Sequence, residues 1–165
     1  MNIHCFLFPI FLVLTSMWLG WSLLVDFFIV PTVFATIDSF FQAGDLGIAV
    51  FSKLNKLEVI VSTVLVSLFS FHFVKTKKGL PLLVMVIFAW VIALSYFSFL
   101  TPKLVTLTEL WKKTDLMGLT GVAEITDVQQ EHQFYHNLYI GIDTLKIFLL
   151  SGLLVFGSLK QDQFK

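Results

Sequence analysis

The sequence predicts an all-α integral membrane protein, a bundle of four helices, and three observations carry that prediction. Of the 165 residues, 57% are hydrophobic and 13% charged, with a mean hydropathy of +0.88, whereas a soluble domain averages about 25% charged residues. Nineteen Phe in so short a chain leave too little polar surface to clothe a globule. Apolar runs of the roughly 20 residues needed to cross the hydrocarbon recur along the whole chain.

The first run covers residues 6–34, broken only by Asp26 and Pro31. It exceeds the roughly 7–15 apolar residues of a signal-peptide core and lacks a basic n-region, so a retained helix is expected. The second run, 54–74, is entered through Lys53, Asn55, Lys56 and Glu58; Lys56 points away from Glu58 and is expected to snorkel to the interface. The third, 79–100, has Pro81 where a first-turn proline is tolerated and Pro102 as its expected stop. The fourth, 134–159, contains Asp143 and Lys146.

Residues 103–117 set Leu104, Leu107, Leu110 and Trp111 opposite Lys103, Thr106, Lys112 and Lys113, the pattern of an amphipathic interfacial helix. A plain extension of the third helix past Pro102 is the alternative. Gly118 and Gly121 then mark a break before the polar stretch 124–131. Short connections imply an up-and-down bundle in a single transmembrane domain spanning residues 1–165.

Composition excludes several functions. Eleven Lys, no Arg and eleven acids leave no net charge, so there is no basic field for nucleic acid. Cys5, the one cysteine, has no internal partner and reads as a buried apolar residue. Without a phosphate loop or nucleophile elbow, no enzyme class and no cofactor is predicted. Orientation turns on Lys near the helix ends. The Lys75, Lys77, Lys78 cluster places both termini in the cytoplasm with Lys160 and Lys165, against Lys53, Lys56, Lys103, Lys112 and Lys113 outside.

A charge at mid-membrane costs roughly 2.5–3.5 kcal/mol on insertion scales, so each one requires a partner or a purpose. His132, His136, Tyr139, Asp143 and Lys146 follow one another at alternating steps of four and three. At about 100° per residue they form one stripe, which must face the bundle interior. Thr15, Ser22 and Asp26 form a shorter stripe on the first helix, and Asn55, Glu58 and Ser62 on the second, with His72 beyond. The third helix offers little besides Ser95, Tyr96 and Ser98, so it is expected to supply apolar cover. Asp143 and Lys146 can neutralise each other along one helix turn, whereas Asp26 and Glu58 must find a cation on another helix, His136 or Lys146, or be protonated. Hydroxyls in the stripes are expected to serve as interhelical hydrogen-bond glue. His132 and His136 at i, i+4 suit one metal ion, with Glu131 or Glu58 completing the ligand set. Haem is disfavoured because His72 and His136 lie near opposite ends of their helices.

Trp18-x-Gly20, then Phe28-Ile29-Val30-Pro31-Thr32-Val33-Phe34, Ala43-Gly44-Asp45-Leu46-Gly47 and Phe51 resemble the opening of the transmembrane protein 205-like family. Leu100-Thr101-Pro102-Lys103, Phe134-Tyr135-His136 and Asp143-x-x-Lys146 extend the resemblance over nearly the whole chain. It implies a four-span protein of a bacterial cytoplasmic membrane, without established chemistry. The segment after Lys103 is shorter and less charged than that pattern. In this frame Gly20 would allow close helix approach, Pro31 would bend the first helix, and Ala43-Gly44 would turn the chain toward the second.

The leading functional expectation is small-solute or proton transport through an ionisable interior formed by Asp26, Glu58, His136, Tyr139, Asp143 and Lys146. So few helices would need a homo-oligomer for transport. A metal-binding membrane protein or enzyme using His132 and His136, and a non-catalytic scaffold, are the alternatives. The expected partner in every case is the lipid bilayer.

Overall fold

The computed structural model describes residues 3–76, 79–116 and 123–159, with side chains over 7–72, 79–115 and 126–159. The lysine side chains that decide orientation at 75, 77, 78, 160 and 165 lie outside what is described, as do the Cys5 side chain and residues Gly118 and Gly121. The first helix occupies residues 3–36, as Ile3–Leu24, a π-helical turn Val25–Ile29, and Val30–Thr36. The second is Phe40–Thr76. The third occupies residues 80–116, as Leu80–Ser95, a second π turn Tyr96–Leu100, and Thr101–Leu116. The fourth is Ala123–Leu159.

All four helices are long and apolar enough to cross a membrane, and no strand occurs among the described residues. Each helix packs against the next and the fourth closes against the first. The diagonal pairs, first with third and second with fourth, make no close backbone approach.

The connection between the first two helices is made by Ile37–Ser39, not by Ala43-Gly44, which lie inside the second helix. Ile37 leaves helical geometry at φ −99°, ψ 116°. Ser39 then caps the next helix, its Oγ accepting from Gln42 N at 3.5 Å. Ser39-x-x-Gln42 is a capping-box pattern, a local signal that outranks the glycine. Gly79 opens the third helix at φ 84°, a left-handed conformation costly for other residues, and Pro81 follows in the first turn. Gly20 has nothing near its missing Cβ, so it does not serve helix approach. Gly152 and Gly157 do: a Cβ there would meet Met85 Cε and Leu12 Cδ2, each at 3.0 Å.

Pro102 does not stop the third helix. The π turn Tyr96–Leu100 ends two residues before it, with Thr101 N bonded to Tyr96 O in the wide i→i−5 pattern. That turn absorbs the missing proline N–H and its ring clash. Pro31 is treated identically: Val25–Ile29 precedes it and Val30 N bonds to Val25 O. Residues 101–116 therefore extend the third helix. Leu107 is buried, and Trp111 meets Phe40, Phe41 and His132 in tilted or edge-on contacts at 5.5–5.6 Å, so their apolar side covers other helices.

The second and fourth helices each contain 37 residues and are about 55 Å long, against a hydrocarbon core of about 30 Å. The excess lies at one end, where Lys112 pairs with Asp45 and Glu109, and Lys103 with Glu131 at 2.8 Å. At the other end a dry layer of Phe8, Phe11, Trp18, Leu65, Phe69 and Leu153 fills the interior. Between the two lies the polar level described next.

Gly157→Leu is expected to destabilise the bundle by about 1–3 kcal/mol through overpacking against Leu12. Gly20→Leu should change stability little. Reversible unfolding in mixed micelles measures both.

Candidate functional site

The fourth helix turns one stripe inward, and Tyr139, Asp143 and Lys146 on it are buried. Lys146 is 1% exposed and forms an ion pair with Asp143 one turn earlier. It also crosses the diagonal, where its Nζ donates to Glu58 Oε1 at 2.7 Å. Glu58 is fully buried, and Ser22 Oγ of the first helix donates to the same oxygen at 3.1 Å. The long lysine side chain makes this bridge although the two backbones stay apart.

A second diagonal tie lies one turn away. Tyr139 OH donates to Asn55 Oδ1 at 3.2 Å, and Asn55 Nδ2 donates to Thr101 Oγ1 at 2.6 Å. Tyr96 stacks on Tyr139 with ring centroids 4.5 Å apart, and its OH donates to the Tyr139 carbonyl at 3.4 Å. Lys146 Nζ stands 5.3 Å from the Tyr96 ring centroid, within cation–π range.

Asp26 belongs to the π turn of the first helix, half-buried, and its carboxyl stands beside that of Asp143, with Glu58 and Lys146 near it. Its Oδ2, like Glu58 Oε2, is buried with no donor among the described residues. Two adjacent carboxyl groups can hydrogen-bond to each other when one of them carries a proton. Charge balance points the same way: Asp26, Glu58 and Asp143 share the one ammonium of Lys146. Uncompensated negative charge in a dry interior is costly enough to bind protons instead.

The expected cluster is thus assembled from Asp26, Glu58, Tyr139, Asp143 and Lys146, without His136. His136 continues the same stripe beyond Tyr139 but is exposed, because Val30–Thr36 of the first helix makes no close backbone contact with the fourth. Asp26 is met by Asp143, not by His136 or a direct lysine contact. The third helix supplies Tyr96, one of the few polar residues expected on it, and Thr101, which reading Pro102 as a stop concealed. Thr15 and Ser62 are buried, yet donate within their own helices, to Phe11 O at 2.8 Å and Val59 O at 3.1 Å, rather than across helices. His72 lies at the far end beside Phe69, 6.1 Å between ring centroids.

His132 and His136 stack nearly parallel, 6.1 Å apart at 10°, continuing the aromatic ladder from Trp111. The carboxylates expected to complete a metal site are engaged elsewhere, Glu131 by Lys103 and Glu58 by Lys146. Among the described residues, no three His, Cys, Asp or Glu side chains come together as a metal site. Compared with known proteins, the chain matches no family model, no curated protein and no solved structure.

Lys146→Met should destabilise the protein by roughly 3–5 kcal/mol, since it leaves Glu58 and Asp143 without their cation. Lys146→Met combined with Glu58→Gln should recover part of that loss, since Asp143 is still left without its cation. The coupling is read from a double-mutant cycle of unfolding free energies.

Proposed function

We propose that this chain is a proton-handling membrane protein whose buried carboxyl cluster performs the binding step of proton-coupled, transport-related activity. The observation that carries the reading is the contact of Asp26 with Asp143 beside a lysine already shared with Glu58. Intramembrane ionisable groups mark such pathways. The resemblance to the transmembrane protein 205-like family is compatible with it but names no chemistry.

Protons reach the cluster from the end that carries the helical overhang. There the stripe emerges at His136 and His132. The apolar layer around Trp18 and Phe69 closes the opposite direction, and the buried Tyr96, Leu100 and Tyr139 stand between the cluster and His136. Passage across the membrane then requires a rearrangement of the bundle. His136 acts as an entrance group and Asp26 as the acceptor, with Asp143 presenting the second carboxyl. The reading extends to a bacterial cytoplasmic membrane with both termini inside, which cysteine-accessibility labelling at either end would test.

A scaffold reading is favoured by the density of the diagonal ties. Under it, the charges only fix helix register, and a neutral interior would serve equally. Replacing Asp143 and Lys146 together would be an unfair test of it, since Glu58 would then be stranded. The fair comparison replaces Glu58, Asp143 and Lys146 at once with neutral residues of similar volume.

In proteoliposomes with an internal pH dye, wild type should acidify under an imposed pH gradient. Asp26→Asn should reduce that rate roughly 10²-fold, the lower range for loss of a positioned proton carrier, while His136→Ala slows it without abolishing it. Equal rates in wild type, Asp26→Asn and protein-free vesicles would leave the scaffold as the better account.

A further inference from the structure

Resting on the reading of Asp26 as a proton acceptor, we propose that the π turn Val25–Ile29 is a hinge set by the proton shared between Asp26 and Asp143. With the proton in place, Asp26 stays on Asp143 and the turn keeps its π register. When the proton leaves, two adjacent carboxylates repel, Asp26 swings off the fourth helix, and Val30–Thr36 rotates with the change of register.

The local geometry makes the two registers close in energy. Val30 N–H bonds to Val25 O, and Pro31 has no N–H. The Asp26 carbonyl thereby loses both its α and its π donor. Moving the Val30 N–H from Val25 O to Asp26 O restores an α turn by exchanging one hydrogen bond for another. No bond further along must break, because the proline has already interrupted the ladder. Such bulges are sites of kinking and concentrate at functional positions.

The segment beyond the turn is free to follow. Val30–Thr36 contains no buried residue and approaches the second helix but neither the third nor the fourth. Its side-chain hold is light, with Phe34 6.1 Å from the Phe40 ring centroid and 3.8 Å from where a Cβ on Gly47 would be. The third helix supplies an internal contrast. It has the same π turn before Pro102, but Thr101–Leu116 is held by the second and fourth helices. One turn is therefore a hinge and the other a fixed support for Tyr96.

The groups that act on Asp26 are Asp143 and Lys146 on the fourth helix and Glu58 on the second, with Tyr139 on the fourth helix and Tyr96 on the third facing the same carboxyls. Lys146 is bound to Glu58 and Asp143, so it does not replace the missing proton at Asp26. The hinge would uncover the Asp26 side of the cluster and supply the rearrangement that an interior closed by buried layers on both sides requires.

The test uses full-length protein in nanodiscs, with Cys5→Ser and spin labels at Ala35 and Gln133, at about pH 5 and about pH 9. Wild type should shift its mean label distance by at least about 5 Å, the displacement given by a 100° rotation of a helix roughly 10 Å across. Asp26→Asn should hold the acid distance at both pH values. Deletion of Phe28, which removes the extra residue of the turn, should hold one distance at both pH values even if Asp26→Asn folds poorly. Proton uptake is measured on the same samples with a pH indicator. An unchanged distance with normal uptake overturns the hinge and leaves the proton site standing. An unchanged distance without uptake overturns both. A shift that survives in Asp26→Asn or in the deletion overturns control by this turn.

Discussion

A buried lysine that must reach across a bundle diagonal is the constraint on which the rest of this structure depends. Lys146 has water on no side, so its charge is tolerable only with partners at bonding distance. Asp143 is provided by its own helix, but Glu58 lies on a helix whose backbone keeps its distance. Holding that pair fixes the rotation of both helices. Ser22 then ties the first helix to Glu58, and Tyr96 packs its ring beneath the ammonium. All four helices are thereby locked at one level by electrostatic need, while apolar packing in a lipid environment would accept several rotations. The same level leaves Asp26 with no cation of its own, which is why a proton enters the account.

Proline placement and the polar level are two aspects of one arrangement. In each of the two proline-interrupted helices, a five-residue π turn precedes the proline, and that turn carries the residue offered to the cluster, Asp26 in one and Tyr96 in the other. A wide turn displaces a side chain inward and spares the helix a break. It also leaves carbonyls short of donors, so the backbone is least committed where the chemistry is concentrated. Downstream packing then decides the consequence, support in the third helix and freedom in the first.

Most of the architecture was legible in the sequence because hydrocarbon thickness and helical periodicity are strong constraints. The four runs, the inward stripe on the fourth helix and the pairing of Lys146 with Asp143 follow from spacing alone. The structure departs from the expectation where a local rule met a tertiary alternative. Pro102 reads as a stop only if the turn before it is α-helical. Ala43-Gly44 resembles a turn until Ser39-x-x-Gln42 is recognised as a cap. His136 lies on the predicted face, yet the face is open there, because helix length and contact between neighbours are not encoded in one helix's periodicity. Thr101 was hidden because the third helix was expected to end before it. Position along a stripe was readable; the reach of a side chain across a diagonal was not.

The central claim is that the cluster holds a proton between two carboxyl groups. Infrared spectroscopy of the purified protein in lipid tests it most directly, through the carbonyl stretch of a protonated carboxyl group in a dry site. The account predicts such a band in wild type near neutral pH, downshifted in D2O and lost in Asp26→Asn. A wild-type spectrum with no protonated carboxyl band, or a band unaffected by Asp26→Asn, would contradict it.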